Sequence, residues 1–410
     1  MTNAMEGLRF MIVAGEPSGD AHAAALIRAL QRLSPRTRFE FFGSTGTEMR
    51  AAGVESTIRA DDLAITGMVE VAGALPKFWR AYRTLKQAAL EQGPCAVVLV
   101  DWPDFNLRLA RALHRRGLKI IYYVSPQLWA WRAYRVHTIE RDVDLLLAIL
   151  PFEPAWYRQR GVTHVEFVGH PLVGEVHPRY GRAEFCEHHH LDAAQPIIAL
   201  LPGSRRKELE RILPLMLDAA SILLQARPSM QFVIPLAANR SPTEVAPFID
   251  AASKHSPLLP NCLRVTQHET REALAAADAA AVASGTATLE AALVGTPLVV
   301  VYKESALNWH TLGRLINTEH FGLVNLIAGE RIATELMQSE FTPERLACEL
   351  TLLLNEEHNS RFRARLREVT AQLGAGGASE QAAATVLRAV SMWNSEDKPV
   401  HAPGEGVGQS

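Results

Sequence analysis

The strongest constraint in this chain is a repeating pattern. A short, unbroken apolar run closes on glycine, proline or a carboxylate, and an amphipathic helical pattern follows. Phe10-Met11-Ile12-Val13-Ala14 gives way to a turn from Gly15 to Asp20, after which Leu26, Ile27, Leu30 and Leu33 fall on one helical face. Phe39–Gly43 reads as a second strand. Ala96–Val100 is a Val/Leu run that ends at Asp101, and a helix carrying Leu107, Leu109, Ala110 and Leu113 follows. Runs that are apolar at every position belong to strands covered on both faces, so the sheet is parallel and buried. Lys119–Val124 and Leu145–Leu150 continue the series.

The pattern restarts after residue 195. Ile197–Leu201 is a strand, Gly203–Arg205 a turn, and residues 206–226 a helix; Gln231–Pro235, Arg264–Thr266, Ala279–Ala283 and Leu298–Tyr302 are further strands. Alternation in two blocks predicts an α/β chain of two Rossmann-like, doubly wound parallel-sheet domains facing a cleft. A length of 410 residues suffices for two cores. The expected boundaries are residues 7–180 and 190–345, joined near 172–195, where His170-Pro171 and the polar stretch 177–195 break the pattern. Residues 346–394 are expected to form helices that pack back on the first domain. Residues 395–410, rich in Gly, Pro and charge, read as a disordered tail.

Apolar residues make up 48% of the chain and charged residues 21%, which excludes a disordered or fibrous protein. A formal charge of −2 gives no reason to expect nucleic acid as a partner. Cysteines 95, 186, 262 and 348 lie too far apart for a zinc pattern or a disulfide framework, which suits a reducing compartment. There is no basic start followed by a sustained apolar stretch, and no apolar run of ~18 residues. The expectation is a cytoplasmic protein that at most rests on a membrane surface.

In open α/β sheets ligands bind beyond the carboxyl ends of strands, so the chemistry is sought there. Gly15 and Gly19 permit close backbone approach, and Ser18 or Asp20 can cap the helix; a plain strand-to-helix turn is the alternative. In Asp101-Trp102-Pro103-Asp104-Phe105-Asn106, Asp101 is a candidate general base and Asp104 a candidate cap. Ser125, Trp129 and Arg132 lie in Ser125-Pro126-Gln127-Leu128-Trp129-Ala130-Trp131-Arg132. There an indole suits a sugar face and a guanidinium suits phosphate, unless the tryptophans plug the core. Gly203, Ser204 and Arg205 open a helix and suit a diphosphate, or are a basic surface turn. Ser284, Gly285 and Thr286 let backbone run close to a ligand. Glu290 is placed to accept from a ribose diol or to be an ion-paired carboxylate. His170 is either a site residue or a buried, hydrogen-bonded histidine. Glu187-His188-His189-His190 reads as a solvated run rather than a metal tract. Residues 63–82, apolar with a basic end, suit acyl chains or a membrane surface, or a helix core.

Taken together and in order, VAGEPSGD, ITGMVEV, DWPDFN, YVSPQLWAWR, LPFE, VGHPL, LPGSR, ASGTATLE and NLIAG resemble the lipid-A-disaccharide synthase family over roughly residues 8 to 390. The resemblance implies a GT-B glycosyltransferase. It would transfer 2,3-diacylglucosamine from its UDP derivative to the 6-hydroxyl of 2,3-diacylglucosamine 1-phosphate, with inversion and release of UDP. It implies Asp101 as base, Arg205 on the diphosphate, Ser284, Gly285, Thr286 and Glu290 on the nucleotide side, and Asn325 as a further site residue. No metal or cofactor is implied; peripheral contact with the inner membrane is, and a homodimer stays open. Pro17, Trp102, Tyr122 and Gly174 depart from the family pattern. Two other readings remain at this point: another GT-B enzyme acting on a UDP-sugar, and a non-catalytic protein that binds nucleotide-sugar or lipid.

Overall fold

In the computed structural model, residues 7–63, 71–305 and 318–396 are described. They form two parallel sheets. The first holds β1 (Leu8–Val13), β2 (Phe39–Thr45), β3 (Glu55–Arg59), β4 (Ala96–Val100), β5 (Ile120–Tyr123), β6 (Leu145–Ala148) and β7 (Val165–Phe167), in the order β3-β2-β1-β4-β5-β6-β7. The second holds β8 (Ile197–Leu201), β9 (Gln231–Leu236), β10 (Leu263–Gln267), β11 (Ala279–Ala283), β12 (Leu298–Tyr302) and β13 (Glu335–Met337), in the order β10-β9-β8-β11-β12-β13. Strand order reverses between β1 and β4 in one sheet and between β8 and β11 in the other. Each reversal opens a crevice beyond the strand ends, where the connecting helices leave on opposite faces.

The central strands are those whose runs were apolar throughout: β4, β8 and β11 are buried at all five positions. β3, β7 and β13 were not anticipated. β3 is an edge strand with exposed or half-buried residues, and the other two are only three residues long.

Two boundaries need correction. The polar stretch 177–195 is not a bare connection. It holds a helix, Arg182–His189, whose Phe185 and Cys186 belong to the second lobe's core. Of the helices in 346–394, Pro343–Leu353 and Glu356–Ala371 also pack into that core, through Leu346, Leu350, Phe362 and Leu366. Only Ala378–Glu396 returns to the first lobe, where Ala382, Ala383 and Val386 pack with the helix Pro17–Leu33. The chain therefore crosses between lobes twice, and the crossings touch: the His170 amide donates to the Leu373 carbonyl at 2.9 Å. The tail 397–410 and residues 64–70 of the expected acyl-facing stretch lie outside the described residues.

Candidate active site

At the first reversal point the loop after β1 meets the loop after β4. A Cβ built on Gly15 would sit 2.1 Å from the Trp102 ring, and one on Gly19 would lie 3.9 Å from the Asp101 Cβ. Only glycine leaves room for this approach at position 15. Trp102 stacks on Phe105 with ring centroids 4.1 Å apart. Asp101 and Trp102 both have positive φ, 48° and 51°. Such backbone costs on the order of 1–3 kcal/mol per residue and persists only where neighbours enforce it. Here the Asp101 amide donates to the Tyr123 carbonyl at 3.0 Å. Its carbonyl accepts from the Tyr122 hydroxyl at 2.6 Å and the Asn106 amide at 2.7 Å. Three hydrogen bonds thus pin the main chain of residue 101 without using its carboxylate. Burial, and secondarily the charge of Glu16, push that carboxyl above the usual carboxylate range.

The loop after β5 divides into a buried part and an exposed part. Ser125 and Trp129 are buried, and the Trp129 indole donates to Glu153 at 3.1 Å. Trp129 thus packs in the core between lobes instead of offering its face to a sugar. Trp131 is exposed, with the Arg132 guanidinium 4.1 Å from its ring centroid. Arg132 and Arg135 both bind Asp104, so Asp104 anchors two cations. Glu153, in Leu150-Pro151-Phe152-Glu153, was passed over in the sequence. Burial pushes its carboxyl up to about 7.

At the second reversal point the ends of β8, β9 and β11 enclose a cavity of about 710 Å³. Gly203, Ser204, Arg205, Ser284, Gly285, Thr286 and Glu290 all line it, as do His177 and Arg179 from the crossover and His268 to Glu272 excepting Glu269. The helix Thr286–Val294 opens on Gly285 without a side-chain cap; the Thr288 amide donates to the Gly285 carbonyl at 3.1 Å, and the amides of Thr286 and Ala287 precede the first helical hydrogen bond. Burial raises the Glu290 carboxyl, an effect opposed by Arg271 at 3.8 Å. The Gly203–Ser204 turn needs correction. The Ser204 and Arg205 amides donate to Glu208 Oε2 at 3.0 and 3.1 Å, closing a capping box. The guanidinium of Arg205, 83% exposed, is what that turn presents outward.

Three further candidates face inward. The Asp20 carboxylate accepts from the amides of Gly46, Glu48 and Met49 and caps the helix Thr47–Ala51, whereas Ser18 is exposed. His170 is the buried, hydrogen-bonded kind: its Nδ1 accepts from the Leu172 amide at 3.2 Å, and burial next to His22 lowers its pKa to about 4. Asn325 is wholly buried. It donates to the Ala333 carbonyl and Glu335, and accepts from the Ile332 and Ala333 amides. Glu335 in turn accepts from the Phe321 and Gly322 amides, and the Phe321 carbonyl accepts from the Ser284 hydroxyl at 2.8 Å. Asn325 therefore supports the cavity wall from behind. Asn325→Leu is expected to cost about 2–4 kcal/mol, because it strands several buried partners. Thermal unfolding checks this; an unchanged melting temperature would contradict it.

Among the described residues no cluster of His, Cys, Asp and Glu is arranged to hold a metal. None of their helices is long and apolar enough to cross a membrane.

Comparison with known proteins places these features in a lineage. A family model described as lipid-A-disaccharide synthetase matches residues 10–388. The lipid-A-disaccharide synthase of Trichlorobacter lovleyi is 44% identical over 383 residues, covering 93% of this chain and 97% of that protein. Among solved structures, the UDP-GlcNAc 2-epimerase of Neisseria meningitidis bound to UDP-GlcNAc superposes with a TM-score of 0.59 at 12% identity, covering 93% of this chain and 100% of that one. The calicheamicin glycosyltransferase gives 0.58 at 16%, covering 95% and 100%. The two-lobed architecture is the GT-B fold.

Proposed function

This chain belongs to the lipid-A-disaccharide synthase family, and from that premise we propose how its two lobes divide one glycosyl transfer. The chain is a UDP-sugar-dependent glycosyltransferase. It moves 2,3-diacylglucosamine from the UDP derivative to 2,3-diacylglucosamine 1-phosphate, and releases UDP.

The donor binds the second-lobe cavity. Its diphosphate lies between the Arg205 guanidinium and the first amides of the helix at Thr286, and its ribose diol reaches Glu290. Donors preorganised toward a departing diphosphate supply a few kcal/mol each. The acceptor lies on the first lobe, beside Gly15, Gly19 and the Arg132–Trp131 pair. Asp101 takes the proton of its 6-hydroxyl while the oxygen attacks the anomeric carbon from the face opposite UDP, which inverts the linkage. The observation that carries this reading is the placement of the raised carboxyl of Asp101 and the exposed guanidinium of Arg205 at the reversal points of the two sheets. An assay with both diacylated substrates tests it. Formation of the disaccharide 1-phosphate, identified by mass, with one UDP per product supports it. UDP release without disaccharide, or turnover of non-acylated sugars alone, refutes it.

Both sugars carry acyl chains, so the protein works at the cytoplasmic face of the inner membrane without crossing it. The helix Val71–Gln92 is suited to that surface. Trp79 is 61% exposed and stacks on Tyr82, and Lys77, Arg80 and Arg83 are exposed on the same helix. Sedimentation with anionic vesicles should pull the protein down at low salt. Trp79→Ala should weaken this several-fold, whereas equal binding by the variant would remove Trp79 from the contact.

A further inference from the structure

The loop after β5 is held from below by a single short helix. Glu153 and Tyr157 stand one turn apart on the helix Glu153–Arg158 and so share a face. Glu153 Oε1 accepts from the Trp129 indole at 3.1 Å, and Oε2 from the Leu150 amide at 3.0 Å. The Tyr157 hydroxyl donates to the Pro126 carbonyl at 2.8 Å. The buried Ser125 hydroxyl makes no hydrogen bond of its own. Every member is buried: Glu153 is 1% exposed, Tyr157 0%, Ser125 4% and Trp129 8%.

A carboxyl placed so deep costs more than an apolar side chain of the same volume. What it supplies is direction. A purely apolar contact would let the indole rotate and slide, whereas a carboxyl that accepts from the indole N–H and from the Leu150 amide orients the ring and ties it to the chain at Leu150. The orientation matters on two sides. Trp129 and Leu150 belong to the hydrophobic cluster that forms the second lobe's core, so the indole is a contact between lobes. Three residues further on, Arg132 stacks over Trp131 and binds Asp104, three residues after Asp101 in the chain.

We propose that Glu153 is a positioning residue for the glycosyl transfer: with Tyr157 it clamps residues 125–129, so that Trp129 registers the first lobe against the second while Arg132 and Trp131 stand at the acceptor. The inference rests on the reading that the acceptor lies beside Arg132. It assigns Glu153 no contact with substrate.

Four variants of the full chain test it: Glu153→Gln, Trp129→Phe, the double variant and Arg132→Ala. Glu153→Gln keeps shape and one accepting oxygen, so it folds. Its kcat should fall about 10-fold and its acceptor KM rise several-fold. UDP affinity, read by calorimetry, should stay within about twofold, because no residue of the clamp lines the donor cavity. Trp129→Phe keeps a ring but loses the indole N–H, and should reproduce much of the same loss. The double variant should be no worse than the poorer single one, since both changes act on the one Glu153–Trp129 contact. Wild-type kcat and acceptor KM in Glu153→Gln would overturn the proposal. So would fully additive effects, or a UDP affinity that falls in parallel with kcat. Arg132→Ala separates the two layers. If it leaves acceptor KM unchanged while Glu153→Gln raises it, the acceptor placement beside Arg132 fails and the clamp stands. If only Arg132→Ala raises KM, the clamp fails.

Discussion

Replacing Asp101 by Asn should lower kcat by about 10²–10⁴-fold, the range general-base catalysis typically contributes, while the protein stays as stable as before. Stability is expected to hold for two reasons. Asn accepts the left-handed backbone at this position better than almost any other non-glycine residue. The change also removes a carboxyl whose ionised form burial penalises. The hydrogen bonds that fix residue 101 run through its main chain and survive the substitution. The pH profile gives a sharper signature. A base must be ionised, so kcat/KM falls as pH drops through its pKa. Burial and the neighbouring Glu16 raise that pKa, which puts the acid limb above the ordinary carboxylate range. Glu16→Gln removes a repelling charge and should move the limb to lower pH, and Asp101→Asn should abolish it. A pH–rate series on the three proteins checks this; a limb unmoved in Asp101→Asn would place the base elsewhere.

Arg205→Ala should lower kcat by about 10²–10³-fold, as loss of one preorganised transition-state donor does, and weaken UDP binding as well. The side chain is 83% exposed and its one ion pair, with Glu208, is a solvent-exposed contact worth little. Melting temperature should therefore hardly move. A loss is expected because the capping box occupies the loop's amides: Glu208 takes those of Ser204 and Arg205, and the exposed guanidinium is the donor the turn can offer a diphosphate. Ser204→Ala should consequently be mild. Arg205→Lys should recover only part of the rate, because an ammonium cannot present two parallel donors. Steady-state rates with titrated UDP decide it, and near-normal turnover of Arg205→Ala would remove the residue from the scheme.

The parts of this molecule that could be read from the chain are those set by burial. β4, β8, β11 and β12 came out with their ends in place, because a strand covered on both faces must be apolar at every position. Gly15, Asp101, Arg205 and Ser284 could be grouped by lobe because strand ends converge at a reversal of order. What failed was direction. Asp20 and Asn325 carry the same polar groups a ligand would want, yet the partners they meet are the amides of Met49 and Ala333, brought from elsewhere in the fold. Nothing local distinguishes such a neighbour from a substrate. Glu153 was missed for the converse reason. A glutamate at the start of a short helix looks like an ordinary first-turn carboxylate, and its burial depends on the indole of Trp129 from another loop. The second and third helices of 346–394 were separated only by where each found apolar partners, Glu356–Ala371 on the second lobe and Ala378–Glu396 on the first.

That last return has a consequence for how the molecule is made. The helix Ala378–Glu396 covers the apolar face of the helix Pro17–Leu33, although nearly the whole polypeptide separates them. On a ribosome the opening lobe emerges early and waits with that face bare, while the closing lobe can finish its own core first. Synthesis halted before residue 378 would release a protein whose second lobe is whole and whose first lobe is unsealed. Completion of the first lobe is thereby tied to synthesis of residues 378–396.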